Sequence, residues 1–344
     1  MAVTSQQIAD AAGVSRATVD RALKDRGRVR PEVAERIKKI AKEMGYHPNQ
    51  AARMLALSKQ HFKIGVLLSS MQTPFMQEVL KGVRDAKEEV EKKGVIIEIR
   101  TTYGKDVHQT IAALDELKQV GVRGIALVPT DDEKVKKKIN QLTEEDNISV
   151  VTLNADVSKS KRICFVGQDN NKAGRTAAGL MAECLPANSQ VCVIGGLELN
   201  PAIPSRTNGF IEGLRGIRPD IEIVDSLYVT NENDNKESEK IALKMIEKYP
   251  DLGGVYVSPP VVLGVCRAMR KKRVDKKIKL ISHDLLQENL KQLEEGTINF
   301  LIGQEGYMQG YEPIMILFRL LVEERNPEKE FEYTSIIIKN RFNI

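Results

Sequence analysis

Tryptophan is absent and aromatic residues make up only 5% of the 344 residues, so no indole is available to stack on a ring-shaped ligand. The four cysteines, Cys164, Cys184, Cys192 and Cys266, form no CxxC pair and have no histidine at ligand spacing, which argues against a zinc site or a redox motif. They read as buried structural thiols. The longest apolar runs, such as "KIGVLL" and "VCVIGG", are too short to cross a bilayer. The N-terminal "MAVTSQQIADAAGVSR" has polar residues where a targeting segment would be apolar, so a cytoplasmic location is expected. No GxxxxGK[ST], HExxH or GxSxG motif occurs. His283 adjoins Asp284, but no activated nucleophile or metal set accompanies the pair. The expectation is a protein that is not an enzyme, with no catalytic residues, metal or cofactor.

What is present is an ordinary globular composition, 42% hydrophobic and 29% charged, on a chain long enough for two or three domains. The charge is unevenly placed. Residues 1–60 hold 12 Lys and Arg against 6 Asp and Glu, leaving 40 against 41 for the rest, so the net charge of +5 belongs to the first sixth of the chain. A basic excess attracts polyanions, although on charge alone a solvated surface is the favoured reading.

Pattern separates the two. "TSQQIADAAGVSRATVDRALKDRGRVRPEVAERIKKIAKEMGY" contains three short helical periods. Thr4 and Gln7 make a capping box before Ile8, Ala9 and Ala12. Gly13 supplies a tight turn, and Ser15 caps a second helix whose Val19, Ala22 and Leu23 face inward. The third starts at Pro31 and repeats Val33, Ala34, Ile37, Ile40, Ala41 and Met44. Small residues at Ala9, Ala12, Gly13 and Ala17 let the first two helices cross closely, as in a helix-turn-helix. Such a unit offers the start of its second helix to the major groove, with Arg16, Ala17 and Arg21 facing outward. Arginine suits a bidentate contact to guanine. Thr4, Ser5, Ser15 and Arg28 are candidates for contacts that position the head without reading sequence.

The stretches "VTSQQIADAAGVSRATVDRAL" and "VRPEVAERIKKIAKEMGYHPNQAARML" resemble the DNA-binding head of the lactose-repressor/galactose-repressor (LacI/GalR) family, and the resemblance extends over the whole chain. It implies a hinge segment that folds on operator DNA, dimerises and wedges a leucine into the minor groove. By motif the wedge is Leu55, with Ala52 against the partner's hinge and Asn49 or Gln50 near the backbone. A helix as short as "AARMLALSK" is marginal alone, and apolar side chains are able to unstack a base step, so ordering by DNA accounts for Met54, Leu55 and Leu57 among charges. Packing of those three on the next domain is the alternative. Asp20 departs from the family pattern and would repel phosphate unless Arg16 or Lys24 neutralises it.

Beyond His61 the chain alternates strands and helices: "FKIGVLLS", a helix over 75–93, "VIIEIRTTY", a helix over 107–120, "GIALVPT", a helix over 133–145 and "ISVVTLN". A second such series runs from "QVCVIGGL" through helices near 206–216 and 235–248 to "INFLIGQ". The expected fold is an all-α helix-turn-helix head followed by α/β architecture, with two doubly wound parallel-sheet subdomains. "GVLLSSMQTP" lacks the GxGxxG turn of a dinucleotide binder. The two halves resemble the periplasmic-binding-protein-like core of the same family. The expected division is a head at 1–46, a hinge at 47–60 and an effector-binding and dimerisation domain at 61–344. Its N-subdomain takes about 61–167 and 305–333, and its C-subdomain about 168–304 and 334–344.

Ligands in open α/β sheets bind beyond the carboxyl ends of strands. Phe75 and Met76 offer an apolar wall, with Gln72 or Thr73 beside it. Arg206 reads as a cation at a helix start, where the dipole serves it poorly and an acceptor is needed. Asp284 and Gln304 follow strands, and the three together satisfy hydroxyls from both sides. Interdomain hydrogen bonding is the competing reading. By resemblance, Phe75, Arg206, Asp284 and Gln304 match positions that contact sugars, with Asn154, Asp169 and Ser258 secondary. Asn154-Ala155, Ser258-Pro259-Pro260 and Val128 replace polar groups usual in relatives, which argues against a simple pentose. The combined expectation is a repressor that binds palindromic operator DNA as a homodimer under control of a sugar-like metabolite. A regulator governed by a partner protein, and a solute-binding protein, are the alternatives.

Overall fold

In a computed structural model the described residues are 3–23, 29–46, 62–104, 106–196, 201–231 and 235–344. The expected positions Lys24, Arg28, Asn49, Gln50, Ala52, Met54, Leu55 and Leu57 lie outside them.

The head is three helices, α1 (Ser5–Ala12), α2 (Arg16–Leu23) and α3 (Pro31–Glu43). The capping box forms as the spacing predicts: the Gln7 amide donates to Thr4 Oγ1 at 3.3 Å and the Thr4 amide to Gln7 Oε1 at 2.8 Å. Gly13 sits at φ 63°, a left-handed conformation that costs glycine little, and turns the chain so that Val14 N reaches Ala9 O at 3.0 Å. The Thr18 amide donates to Ser15 Oγ at 3.2 Å, opening α2. Ile8, Ala9, Ala12, Val19, Ala22, Ile37 and Ala41 form the buried core. Arg36 on α3 donates to the Ala12 carbonyl at 3.0 Å and so ties the end of α1 to the third helix.

The remainder begins with β1 (Lys63–Ser69), α4 (Pro74–Glu91), β2 (Ile96–Thr102), α5 (Val107–Gln119), β3 (Gly124–Leu127), α6 (Glu133–Glu144), β4 (Ser149–Leu153) and β5 (Cys164–Gly167). It continues with α7 (Asn170–Cys184), β6 (Gln190–Gly195), α8 (Ala202–Ile217), β7 (Glu222–Tyr228), α9 (Asn235–Lys248), β8 (Leu252–Val257), α10 (Val262–Lys271), β9 (Lys279–His283), α11 (Gln287–Glu294) and β10 (Phe300–Gly303). The last elements are α12 (Gly306–Glu323), β11 (Phe331–Tyr333) and β12 (Ile337–Lys339).

These strands make two six-stranded sheets, ordered β11-β5-β4-β3-β1-β2 and β12-β10-β9-β8-β6-β7. Every pairing is parallel except β10 with β12. Near-continuous burial along β1, β6 and β8 is what sheets covered on both faces require. In the first sheet Val66 and Leu68 pack with Val79, Val83, Ile314 and Leu317 of α4 and α12, while Leu67 and Ile125 pack with Leu114, Leu117 and Ile139 of α5 and α6. In the second, Val191, Val193, Tyr256 and Ile281 face Ala177, Met181, Phe210 and Leu214 of α7 and α8.

The chain passes between the sheets three times, after β5, after β10 and after β11. The passages bond to one another. Gln168 Nε2 donates to Gly303 O at 2.9 Å, Thr334 N to Gly167 O at 2.9 Å, Thr334 Oγ1 to Gln304 O at 3.1 Å and Ser335 N to Glu305 Oε2 at 2.6 Å.

Helices α7 and α8 approach backbone to backbone. A Cβ on Gly174 would stand 2.0 Å from the Arg206 carbonyl oxygen, and one on Gly209 would stand 2.2 Å from Asn171 O. Gly174→Ala must push α8 away at Arg206, and should cost about 1–3 kcal/mol as overpacking does. A lowered midpoint of chemical denaturation at unchanged slope checks this.

Cys164, Cys192 and Cys266 are buried, whereas Cys184 is only partly so, which corrects the expectation for that one thiol. Burial pushes Cys164 up to about 11 and both Cys192 and Cys266 to about 12. Thiolate is the reactive form. Iodoacetamide at neutral pH should therefore label Cys184 first and the other three only on unfolding, as read by peptide mass spectrometry.

Candidate functional site

In the head, Arg16, Ala17 and Arg21 are exposed along α2, as are Thr4 and Ser15, while Ser5 is half-buried at the start of α1. Arg21 folds back, Nε donating to the Ala17 carbonyl at 3.0 Å, so Arg16 is the freer guanidinium. Asp20 is half-buried on the same helix, and among the described residues no ion pair joins it to Arg16. The acid anticipated to disfavour phosphate is thus not neutralised from that side.

The second site lies where strand ends of the second sheet meet the inter-sheet passages. Arg206 belongs to α8, which begins at Ala202 with Pro204 in its first turn. The residue therefore sits beyond the helix start at which the sequence reading placed it. Burial, not the helix dipole, creates its need for acceptors. The side chain is 3% exposed, Nη2 donates to Gln304 Oε1 at 2.7 Å and to Gln168 Oε1 at 3.4 Å, and Nε has no partner. Burial pulls its pKa down and the nearby Asp284 carboxylate pushes it back up.

Asp284 follows β9 at φ 70° and is 6% exposed. Gln304 Nε2 donates to its Oδ1 at 2.5 Å, and Asn289 Nδ2 donates to its carbonyl at 3.0 Å. Burial raises its pKa, opposed by Arg206 and by that glutamine bond. Arg206, Gln304 and Asp284 thus form one buried chain, with cation and acid at its ends and an amide between them. Amides are able to serve both because they donate and accept.

Two further glutamines belong to the network and had no sequence motif to flag them. Gln168 is 2% exposed and receives Arg206 while holding Gly303. Gln309, wholly buried, donates to Gln304 O at 2.6 Å and accepts from Asn154 Nδ2 at 3.1 Å. Asn154, expected as a ligand contact, is thereby engaged with α12. Asp169 likewise caps α7, its Oδ1 accepting from Lys172 N at 2.9 Å. Ser258 is completely buried with Oγ unpartnered, beyond the end of β8. Phe75 is half-buried at the start of α4. Met76, expected beside it on an apolar wall, is 4% exposed inside the core of the first sheet, because α4 turns that face inward with Val79 and Val83. Thr73, expected as a polar neighbour, caps α4 through Met76 N at 3.4 Å.

Behind Asp284, His283 Nε2 lies 2.7 Å from Tyr256 Oη, and Tyr256 stacks on Phe210 with centroids 4.2 Å apart. Burial holds the imidazole far below its usual pKa, and Arg206 adds to the effect. The ring is fully buried beside Tyr256, and its Nδ1 has no hydrogen-bond partner. Among the described residues no three His, Cys, Asp or Glu group together as metal ligands, and no helix is long and apolar enough to cross a membrane.

Comparison with known proteins agrees with this two-part organisation. Residues 4–49 match the model of bacterial regulatory proteins of the lacI family, and residues 64–325 match a periplasmic binding protein domain. The HTH-type transcriptional regulator MalR of Streptococcus pneumoniae (serotype 4) is 26% identical over 310 residues, covering 88% of this chain and 89% of MalR. The ribose operon repressor of Bacillus subtilis is 25% identical over 289 residues, 82% of this chain and 81% of the repressor. A sugar-binding protein of a Bacillus halodurans sugar ABC transporter superposes with a TM-score of 0.72 at 26% identity, over 82% of this chain and 98% of that one. With a lacI-type head, a periplasmic-binding-protein core and regulators aligned along nearly nine-tenths of its length, the chain belongs to the lacI family of bacterial regulatory proteins.

Proposed function

We propose that this regulator is a repressor that binds a palindromic operator as a homodimer through α2 and the segment at 47–60, and that a small polar metabolite, a sugar or sugar derivative, controls it from the cleft around Arg206. The observation carrying the reading is the buried Arg206–Gln304–Asp284 chain. It presents a cation, an amide and an acid together, and both of its glutamine partners sit on passages between the sheets. A ligand competing for these groups acts directly on the segments that set the angle between the sheets. An effector shifts an equilibrium only by its difference in affinity for two states, and a site wired into the passages provides that difference. A two-fold protein matches a two-fold operator.

Selection of random duplex DNA by the purified protein at one fixed salt concentration tests the DNA half, since phosphate binding depends steeply on salt. A palindrome is the expected outcome, and its absence both with and without cell extract counts against the reading. On the selected site, Arg16→Ala should cost about 1–3 kcal/mol and relax preference at one base pair. Leu55→Ala should weaken operator binding without altering effector affinity, and unchanged operator affinity would sink the wedge. Arg206→Ala should do the reverse. Removing it strips Gln304 and Gln168 of a buried donor, with about 1–3 kcal/mol at stake for each group left unpaired, so calorimetric effector binding should fall at least tenfold while operator affinity persists.

A further inference from the structure

Glu78 carries no motif and matches none of the positions expected to meet a ligand, yet this exposed residue of α4 lies close to the start of α12 and within the field of Asp284. Phe75 and Glu78 lie three residues apart on α4 and converge on the backbone of Gly306. A Cβ built there would stand 3.0 Å from Glu78 Oε2 and 3.0 Å from the Phe75 ring. Gly306 follows Gln304 by two residues, and Gln304 holds Asp284. A carboxylate from the helix after β1 and another from the end of β9 are thereby brought into each other's field. Burial raises the Glu78 pKa, and the charge of Asp284 raises it further.

The balance of charge in this corner is uneven. Arg206 is the cation acting on Asp284, and its Nη2 is already given to two glutamines. Glu78 makes no hydrogen bond or ion pair among the described residues. Ser258 Oγ and Arg206 Nε, both on residues more than nine-tenths buried, are also unpartnered. Glu78 is exposed to solvent. A ligand that displaces water from a carboxylate with a second acid nearby loses free energy unless it brings a donor of opposite charge. A neutral hydroxyl supplies one ordinary hydrogen bond, a protonated amine a charge-assisted one, and a phosphate adds repulsion.

We infer that Glu78 is a specificity-determining residue of this cleft, and that Glu78 and Asp284 together select an effector bearing a protonated amine on a polyhydroxylated frame, an amino sugar or amino polyol. The inference rests on the cleft being the effector site.

Matched sugars test it on the full-length protein by calorimetry at neutral pH: D-glucose, D-galactose and D-mannose, each against its 2-amino-2-deoxy and N-acetylated counterparts. The expected result is at least one free amine that binds about tenfold or more tightly than both neutral partners, the scale of one charge-assisted contact. Glu78→Gln should abolish that difference, with Glu78→Asp restoring part of it. Thermal denaturation and operator binding of both variants report whether they fold. A neutral sugar that binds as tightly as its amine overturns the inference, as does an amine preference that survives in Glu78→Gln, and so does a failure of every amine to bind. In each case the response of operator affinity to cell extract, and its dependence on Arg206, decides separately whether the cleft is an effector site at all.

Discussion

The buried guanidinium of Arg206 is the constraint around which the larger part of the molecule is arranged. A cation at 3% exposure must be met by acceptors. Its Nη2 meets two, both amide oxygens on segments that run between the sheets. The acid that balances it lies one glutamine away. Placing the charge requires α8 to approach α7 closely at Gly174, requires Gln168 and Gln304 to leave their strands in fixed directions, and requires Asp284 in a left-handed turn. The cation is thus held by segments that join the two sheets rather than by a single element of one of them.

Much of this was legible in the sequence, for reasons that differ by region. The head is governed by local rules: a capping box, a glycine turn and helical periodicity each act within a few residues, and Thr4, Gly13 and Ser15 occupy the expected roles. The alternating apolar runs likewise announce parallel sheets. Helix α12 is different, because its sequence carries a signal against helix. Its interior proline, Pro313, is a helix breaker by propensity. The burial of Ile314, Leu317 and Phe318 against the first sheet overrides that preference, and no local signal reports such a tertiary gain.

At the site, Asp284 and Gln304 were identifiable because charged or amide residues just past apolar strands are unusual enough to notice, and Arg206 because a cation near a helix start wants an acceptor. Gln168 and Gln309 were not, since a glutamine acquires its role from partners 135 and 155 residues away in sequence that only the fold brings near. Met76 shows the converse error. Adjacent positions on a helix point in directions about 100° apart, so a wall drawn through both Phe75 and Met76 had to lose one of them to the core.

The three passages between the sheets have a consequence for how such a protein can be cut or recombined. Strand β11 completes the first sheet and β12 the second, yet both come from the last 14 residues of the chain. Neither half is therefore encoded by one uninterrupted stretch of gene. A truncation that removes the tail strips an edge from both sheets at once, and a graft of one half onto another protein has to carry three junctions instead of one. The head precedes both sheets in the chain and contributes a strand to neither. The two sheets are inherited together.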